Sequence, residues 1–361
     1  MNHKLQPPLA GLRVLDFSEL LPGPFLTGCL AEMGAEVLKV ERPPGGDPVR
    51  RLSPGMFGAV NRGKSSVLID LKQEAGREHA RSLVLEADVL VESFRPGVMT
   101  RLGLGPAEMA ELNPRLIYAS LSGYGQDGPY AAVPGHDLNY LSAAGLKSIS
   151  SGTAGVPVAD LCGSVYGLAG VLAALVQRGV TGRGQHLDIA LAECALHWLN
   201  PRLGRFAGAG AGTLEAQRRM ALVRPAYGAF ACRDGRSISI AALEDHFWKR
   251  LLGVMDLSPY DGPAHAGSAG RAAATDEVNA LIAARCAAED SETLLARLLE
   301  ADVPAAPVLA PGEVASFPQF AARGTMHASE TGALARFPVR LEGMYQPGPA
   351  PALGQATEFV S

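Results

Sequence analysis

A histidine at position 136 and an aspartate at position 160 are the residues of this 361-residue chain whose types and placing could do chemistry. His136 stands in Pro134-Gly135-His136-Asp137-Leu138-Asn139-Tyr140, and Asp160 opens the almost wholly apolar run Leu161 to Val176. A carboxylate at the mouth of a buried helix is costly unless it is paired or put to use. An imidazole and a carboxyl in a dry pocket could exchange a proton at a weakly acidic carbon, one group taking it and the other returning it. The plainer alternative is that His136 starts a helix and Asp160 caps one.

The elements that must hold this pair alternate between strand and helix. Leu12–Phe17, Glu36–Val40, Val67–Leu71, Asp88–Glu92, Leu116–Leu121 and His186–Ala190 read as strands, with helices near Leu26–Met33 and Glu74–Glu86. Strands separated by helices predict βαβ units and a mostly parallel sheet covered on both faces, an α/β fold. The small-residue stretch from Phe206 to about Met220 reads as a linker. Beyond it, Tyr227–Cys232 and Ser237–Leu243 flank the hairpin signal Arg233-Asp234-Gly235. Helical patterns at His246–Met255, Thr275–Ala287 and Glu292–Ala301 complete a smaller α+β domain. After Ala335 the pattern returns to strand and then to Pro/Gly-rich coil. The expected layout is a large domain over 1–205, a linker at 206–224, a small domain over 225–320, a linker at 321–329 and a tail, 330–361, that completes the large domain.

Composition narrows the function. A hydrophobic share of 47% against 19% charged residues is that of a globular enzyme, and a net charge of −4 argues against nucleic acid as a partner. Five dispersed cysteines without a CxxC pair read as reduced cytoplasmic thiols, with neither a disulfide framework nor a zinc site. No apolar signal core opens the chain and no uninterrupted apolar stretch reaches bilayer length, so a cytoplasmic protein without a membrane partner is expected.

Gly58–Ser65 satisfies the pattern of a phosphate-binding P-loop, but a strand follows it where a helix is needed, and the reading is rejected. Leu21-Pro22-Gly23-Pro24 stands where a dinucleotide fold needs free amides, which argues against a nicotinamide cofactor. Neither HExxH nor GxSxG occurs. Arg42, Arg62, Lys64, Lys72, Arg95 and Arg101 recur near turns, either as a solvated rim or as a site for a multiply phosphorylated ligand. The glycines of Ser122-Gly123-Tyr124-Gly125 would let backbone approach that ligand. Glu244 stands where a strand hands over to a helix, as a cap or as a third site carboxylate; His246 reads as surface.

Taken together, GLRVLDFSELLPGPFLTGCLAEMGAEVLKVERPPGGDPVR, NRGKSSVLIDLK, SFRPGVMTRLGLG, GHDLNY, TGRGQHLDIAL, ALEDHFW and PAPALGQATEFV resemble the class III CoA-transferase family, and within it the α-methylacyl-CoA racemase branch. The resemblance implies a Rossmann-like large domain, a smaller domain, and a homodimer of interlocked rings. It implies that Arg42 and Arg101 grip the CoA phosphates, and that Ile69-Asp70-Leu71-Lys72, Ser93-Phe94-Arg95 and the stretch Gly135 to Tyr140, with Asp137, wall the CoA channel. It places His136 and Asp160 on the racemase's two proton carriers and Glu244 on the glutamate that completes its site. The expected reaction is inversion of the α-carbon of a 2-methylacyl-CoA, with the enolate held by backbone N–H groups at the start of the Asp160 helix. No metal, and no cofactor beyond the CoA moiety of the substrate, is required.

The transferase branch is the alternative. There the residue matching Asp160 carries the acyl group as a mixed anhydride and then CoA as a thioester, and the histidine is generally lacking. A non-catalytic CoA-binding protein is the third reading. Two departures from the racemase pattern stand out. Val223-Arg224 replace paired glycines before Pro225, which suits an acyl group bearing a carboxylate or leaves Arg224 facing solvent. Leu161-Cys162-Gly163-Ser164 replace a glycine-rich turn.

Overall fold

Short runs rich in Val, Leu and Ile become the interior of a parallel sheet. β1 (Arg13–Asp16), β2 (Glu36–Glu41), β3 (Ser65–Leu68), β4 (Val89–Glu92), β5 (Ile117–Ser122) and β6 (His186–Ala190) align in the order β3-β2-β1-β4-β5-β6, every neighbouring pair parallel. Consecutive residues such as Val14 and Leu15 are both buried, because both faces are covered. One face carries Val14, Val37, Val89 and Ile117 under α1 (Pro22–Glu32); the other carries Leu15, Leu38 and Leu90 under α2 (Glu74–Glu86). This is the expected α/β architecture, with its order reversing between β1 and β4. Ligands of such sheets bind outside the carboxyl ends of the strands near that reversal.

The computed structural model describes residues 6–329, 332–344 and 346–359. Its chain divides into two units, residues 1–148, 152–203 and 319–361 in the first, and 149–151 with 204–318 in the second. Residues 1–5 of the expected large domain, and 330, 331, 345, 360 and 361 of the expected tail, lie outside the described residues.

Two further helices of the first unit bear on the site. α3 (Asp137–Ala143) follows β5, and α4 (Val158–Thr181) is the long apolar helix, ended by Gly182 in a left-handed conformation, φ +73°. At 24 residues, with an 18-residue window of mean hydropathy 1.7, α4 is long and apolar enough to cross a membrane by length and composition, although Asp160 and Arg178 interrupt its apolar run. Its Gly167 instead meets Leu26 of α1: a Cβ there would lie 2.5 Å from that side chain. α4 therefore packs as a core helix against α1 and the sheet.

The second unit folds around its own core. β7 (Tyr227–Ala231) and β8 (Ser237–Ala241) form the expected hairpin, and β9 (Ala305–Pro307) adds to β8. Against them pack α7 (Asp245–Met255), α8 (Thr275–Ala287) and α9 (Ser291–Glu300), with Trp248, Ile282 and Leu298 buried.

Three expectations need correction. The stretch 206–220 is largely helical: α5 (Leu191–Gly208) runs into it, and α6 (Leu214–Leu222) follows, capped by the Thr213 side chain, which accepts the Ala216 N–H at 3.2 Å. The strand expected over Val67–Leu71 stops at Leu68, because Asp70 turns the chain by accepting the Lys72 N–H. The strand expected after Ala335 lies before it: β10 (Met326–Ser329) pairs with β11 (Gly332–Ala335), and Pro338 follows.

Candidate functional site

Asp160 sits in the first turn of α4, half-buried. Nothing cationic among the described residues pairs with its carboxyl. Burial, and secondarily the nearby Asp137 carboxylate, push its pKa up to about 7. Asp137 holds the start of α4: its Oδ1 accepts the Ala159 N–H at 2.6 Å and the Asp160 N–H at 3.2 Å. The wall beside them is aromatic. Tyr140 donates its hydroxyl to the Gly135 carbonyl at 2.6 Å and meets the Tyr124 ring edge-on at 5.3 Å. Burial, then the charge of Asp160, push the Tyr140 phenol up to about 12, so it stays a neutral donor.

These contacts bear on the sequence reading at three points. The amides expected to hold an enolate are already engaged by Asp137, and an oxyanion placed there would face a carboxylate. His136 is exposed and caps α3, its own N–H donating to the Asn139 side chain at 3.0 Å; no hydrogen bond or ion pair joins its imidazole to Asp160. Gly123 is needed for packing, since a Cβ there would lie 2.4 Å from the Tyr140 ring.

Glu244 is exposed in the second unit, at the N-terminus of α7, and makes no capping hydrogen bond; the adjacent Asp245 pairs with Arg271 instead. Arg224 lies in the same unit, half-buried, its guanidinium 5.3 Å from the Tyr227 ring.

The residues expected to wall a CoA channel divide into two kinds. Arg42, Lys72, Arg95 and Arg101 are exposed, and Arg42 reaches Glu19 at 3.5 Å. Ile69 is buried, with Asp70 and Leu71 half-buried beside it. The Ser93-Phe94-Arg95 turn is pinned at the carboxyl ends of the strands: Ser93 Oγ accepts the Glu19 N–H at 3.0 Å, and Glu92 Oε2 accepts the Phe94 N–H at 2.8 Å. Arg62 and Lys64, grouped with this basic set from sequence, are not part of it. Both are buried, Lys64 on Asp16 at 3.0 Å and Arg62 on Glu32 at 2.9 Å.

Two carboxylates that sequence reasoning passed over matter here. Glu92, at the carboxyl end of β4, is buried and its pKa rises to about 7; burial drives it up, while the Ser120 hydroxyl and the Phe94 N–H hold it back. Its signal was a charged residue closing an apolar strand. Asp137 was read only as channel wall, because its partners lie 22 and 23 residues downstream.

The profile of CoA-transferase family III matches residues 9–357. An acetyl-CoA:oxalate CoA-transferase of Acetobacter aceti is 33% identical over 98% of this chain and 94% of its own length. A succinyl-CoA:mesaconate CoA-transferase of Haloarcula marismortui is 36% identical over 83% and 80%. Among solved structures, a CAIB/BAIF family protein from Brucella suis superposes with a TM-score of 0.85 at 30% identity, covering 97% of each chain.

Proposed function

Because the chain belongs to CoA-transferase family III, we propose that it moves CoA from an acyl-CoA thioester to a free carboxylic acid, with Asp160 as the nucleophile. The observation that carries this reading is the Asp160 carboxyl itself: half-buried, without a counter-charge, and titrating near neutrality. At pH 7 about half of it is ionised, and a poorly solvated carboxylate with a raised pKa is a stronger nucleophile than an ordinary one.

The steps balance without a further reagent. Asp160 attacks the thioester carbonyl, the C–S bond breaks, and a mixed anhydride forms with CoA thiolate released. The thiolate attacks the Asp160 acyl carbon, expelling the donor acid and leaving an aspartyl-CoA thioester. The acceptor carboxylate then attacks that thioester, freeing the thiolate, which attacks the acceptor's acyl carbon in the new anhydride. The products are the new acyl-CoA and free Asp160. Tyr140, neutral and with its hydroxyl proton held by the Gly135 carbonyl, walls the site beside Asp160. Arg42, Arg101 and Lys72, exposed and basic, suit the CoA phosphates, with the Ser93–Arg95 and Gly135–Tyr140 stretches as channel walls.

The relatives named above are oxalate and mesaconate CoA-transferases, which supports a small dicarboxylic acid among the substrates. The epimerase expected from the sequence has less behind it, since the relatives named above are CoA-transferases and the amides for an enolate are engaged. Exposed Val165, Val176, Val180, Leu196 and Trp198 on α4 and α5 support a homodimer as the working form, with the interlocked arrangement that the resemblance implies.

The test is a panel of acyl-CoA donors and free dicarboxylic acids in heavy water. The expected result is CoA appearing on an acceptor acid without deuterium entering the donor's α-carbon. Deuterium wash-in with no acceptor present, and no CoA transfer, would return the epimerase to first place.

A further inference from the structure

The end of α1 that lies away from Asp160 faces an unusual concentration of positive charge for a chain of net charge −4. A cavity of about 560 Å³ there is lined by Arg323, Arg336 and Arg340 together with apolar Phe337, Leu341 and Met344. A second, of about 550 Å³, shares Gln346 and Pro347 with it and adds Arg62 and His327. Cavities of this size accept small organic molecules.

Among the described residues this charge is short of counter-ions. Glu32 is the carboxylate lining the first cavity, and both its oxygens are spent: Oε1 accepts from Arg62 at 2.9 Å and Oε2 from the Phe337 N–H at 2.7 Å. Among the described residues Arg323, Arg336 and Arg340 form no ion pair; Arg336 reaches only the Gln346 amide oxygen at 3.3 Å, and Arg340 the Arg323 carbonyl. His327 is 8% exposed, its Nε2 lies against the Arg62 guanidinium, and its Nδ1 is buried without a partner. Burial, then the charges of Arg62 and Arg336, lower its pKa, so the imidazole is held neutral with an unused polar atom. Guanidinium groups that line one cavity repel, and an anion among them relieves that repulsion.

We propose that these cavities form a binding site for a small organic polyanion, phosphate- or carboxylate-bearing, separate from the Asp160 site. The separation follows from α1: the Pro22 carbonyl accepts the Ser164 hydroxyl one turn beyond Asp160, and Glu32 lies about 15 Å further along that helix. The half-apolar walls select an anion with an organic body over a bare inorganic ion.

Calorimetric titration of the whole chain with ATP and with citrate tests this and separates the two sources of charge. At least one binds, more weakly as salt rises. Arg336→Gln and Arg340→Gln each weaken it by about tenfold, as loss of a charge-assisted contact does, and the double variant abolishes it. ATP binding the tighter assigns phosphate; citrate binding the tighter assigns carboxylate. Arg336→Lys, which keeps the charge, recovers part of the affinity. Arg42→Gln, in the basic set near Glu19, leaves it unchanged. The proposal is overturned by failure of both anions to bind, by full affinity in the double variant, or by loss confined to Arg42→Gln.

Discussion

Asp16 and Asp160 are both aspartates at the edge of the same core, yet the structure treats them oppositely. Asp16, at the end of β1, is fully buried and saturated. Lys64 lies 3.0 Å away, and the hydroxyls of Ser18 and Thr27 donate to it, Thr27 at 2.7 Å. Burial alone would raise its pKa, but the charges of Lys64 and Lys39 and the two hydroxyls outweigh that and hold it well below the usual carboxylate range. Asp160 receives burial without such partners, and a second carboxylate besides, so its pKa moves up to about 7. A buried acid with every lone pair used holds structure together. One left short of partners carries free energy that chemistry can draw on.

The sharpest way to break the comparison is to neutralise each acid. Asp160→Asn is expected to cut CoA transfer by at least about a thousandfold, since the nucleophile is lost, while leaving the melting temperature unchanged or raised. Asp16→Asn leaves Lys64 buried without its counter-ion and is expected to cost about 3–5 kcal/mol of stability in denaturant titration. If Asp16→Asn proves as stable as the parent, or Asp160→Asn unfolds, the two assignments are reversed.

pH sharpens the contrast. Transfer requires ionised Asp160, so the rate is expected to fall as pH drops through about 7, reaching about a hundredth at pH 5. Stability moves the other way at this residue. Its pKa is raised on folding, so its contribution is most favourable below about 4 and is lost as pH rises through about 7. Asp16, depressed on folding, contributes stability above the usual carboxylate range and loses it only in stronger acid. Asp137→Asn removes the charge that helps raise Asp160 and is expected to move the midpoint of the pH–rate profile downward. A profile unmoved by Asp137→Asn would place the origin of the shift in burial alone. Smallest of all, His136→Ala is expected to change transfer within about threefold, whereas a proton carrier would cost orders of magnitude.

The sheet was legible because its strands declare themselves locally: His186–Ala190 and helix Glu74–Glu86 stand where the apolar pattern and flanking polar residues put them. Asp160 was legible for a related reason, being a charge set against a long apolar run. What escaped reading depends on contacts distant in sequence. Asp137 ties α3 to α4 across 22 residues, Lys64 crosses 48 to reach Asp16, and Arg62 crosses 30 to reach Glu32. The helical turns within 206–220 escaped reading because glycine and alanine look alike in a small-residue stretch, although alanine favours helix and glycine does not. The partnership of His136 with Asp160 rests on residue types and on the family resemblance; the structure adds that His136 caps α3 and is exposed.

Covalent capture at Asp160 tests the central claim most directly. The protein is mixed with an acyl-CoA donor, quenched with borohydride during turnover, and mapped by peptide mass spectrometry. Reduction of the thioester should convert Asp160 to the corresponding alcohol, only when donor is present and not in Asp160→Asn. An unmodified Asp160 peptide under conditions of active CoA transfer would contradict the account.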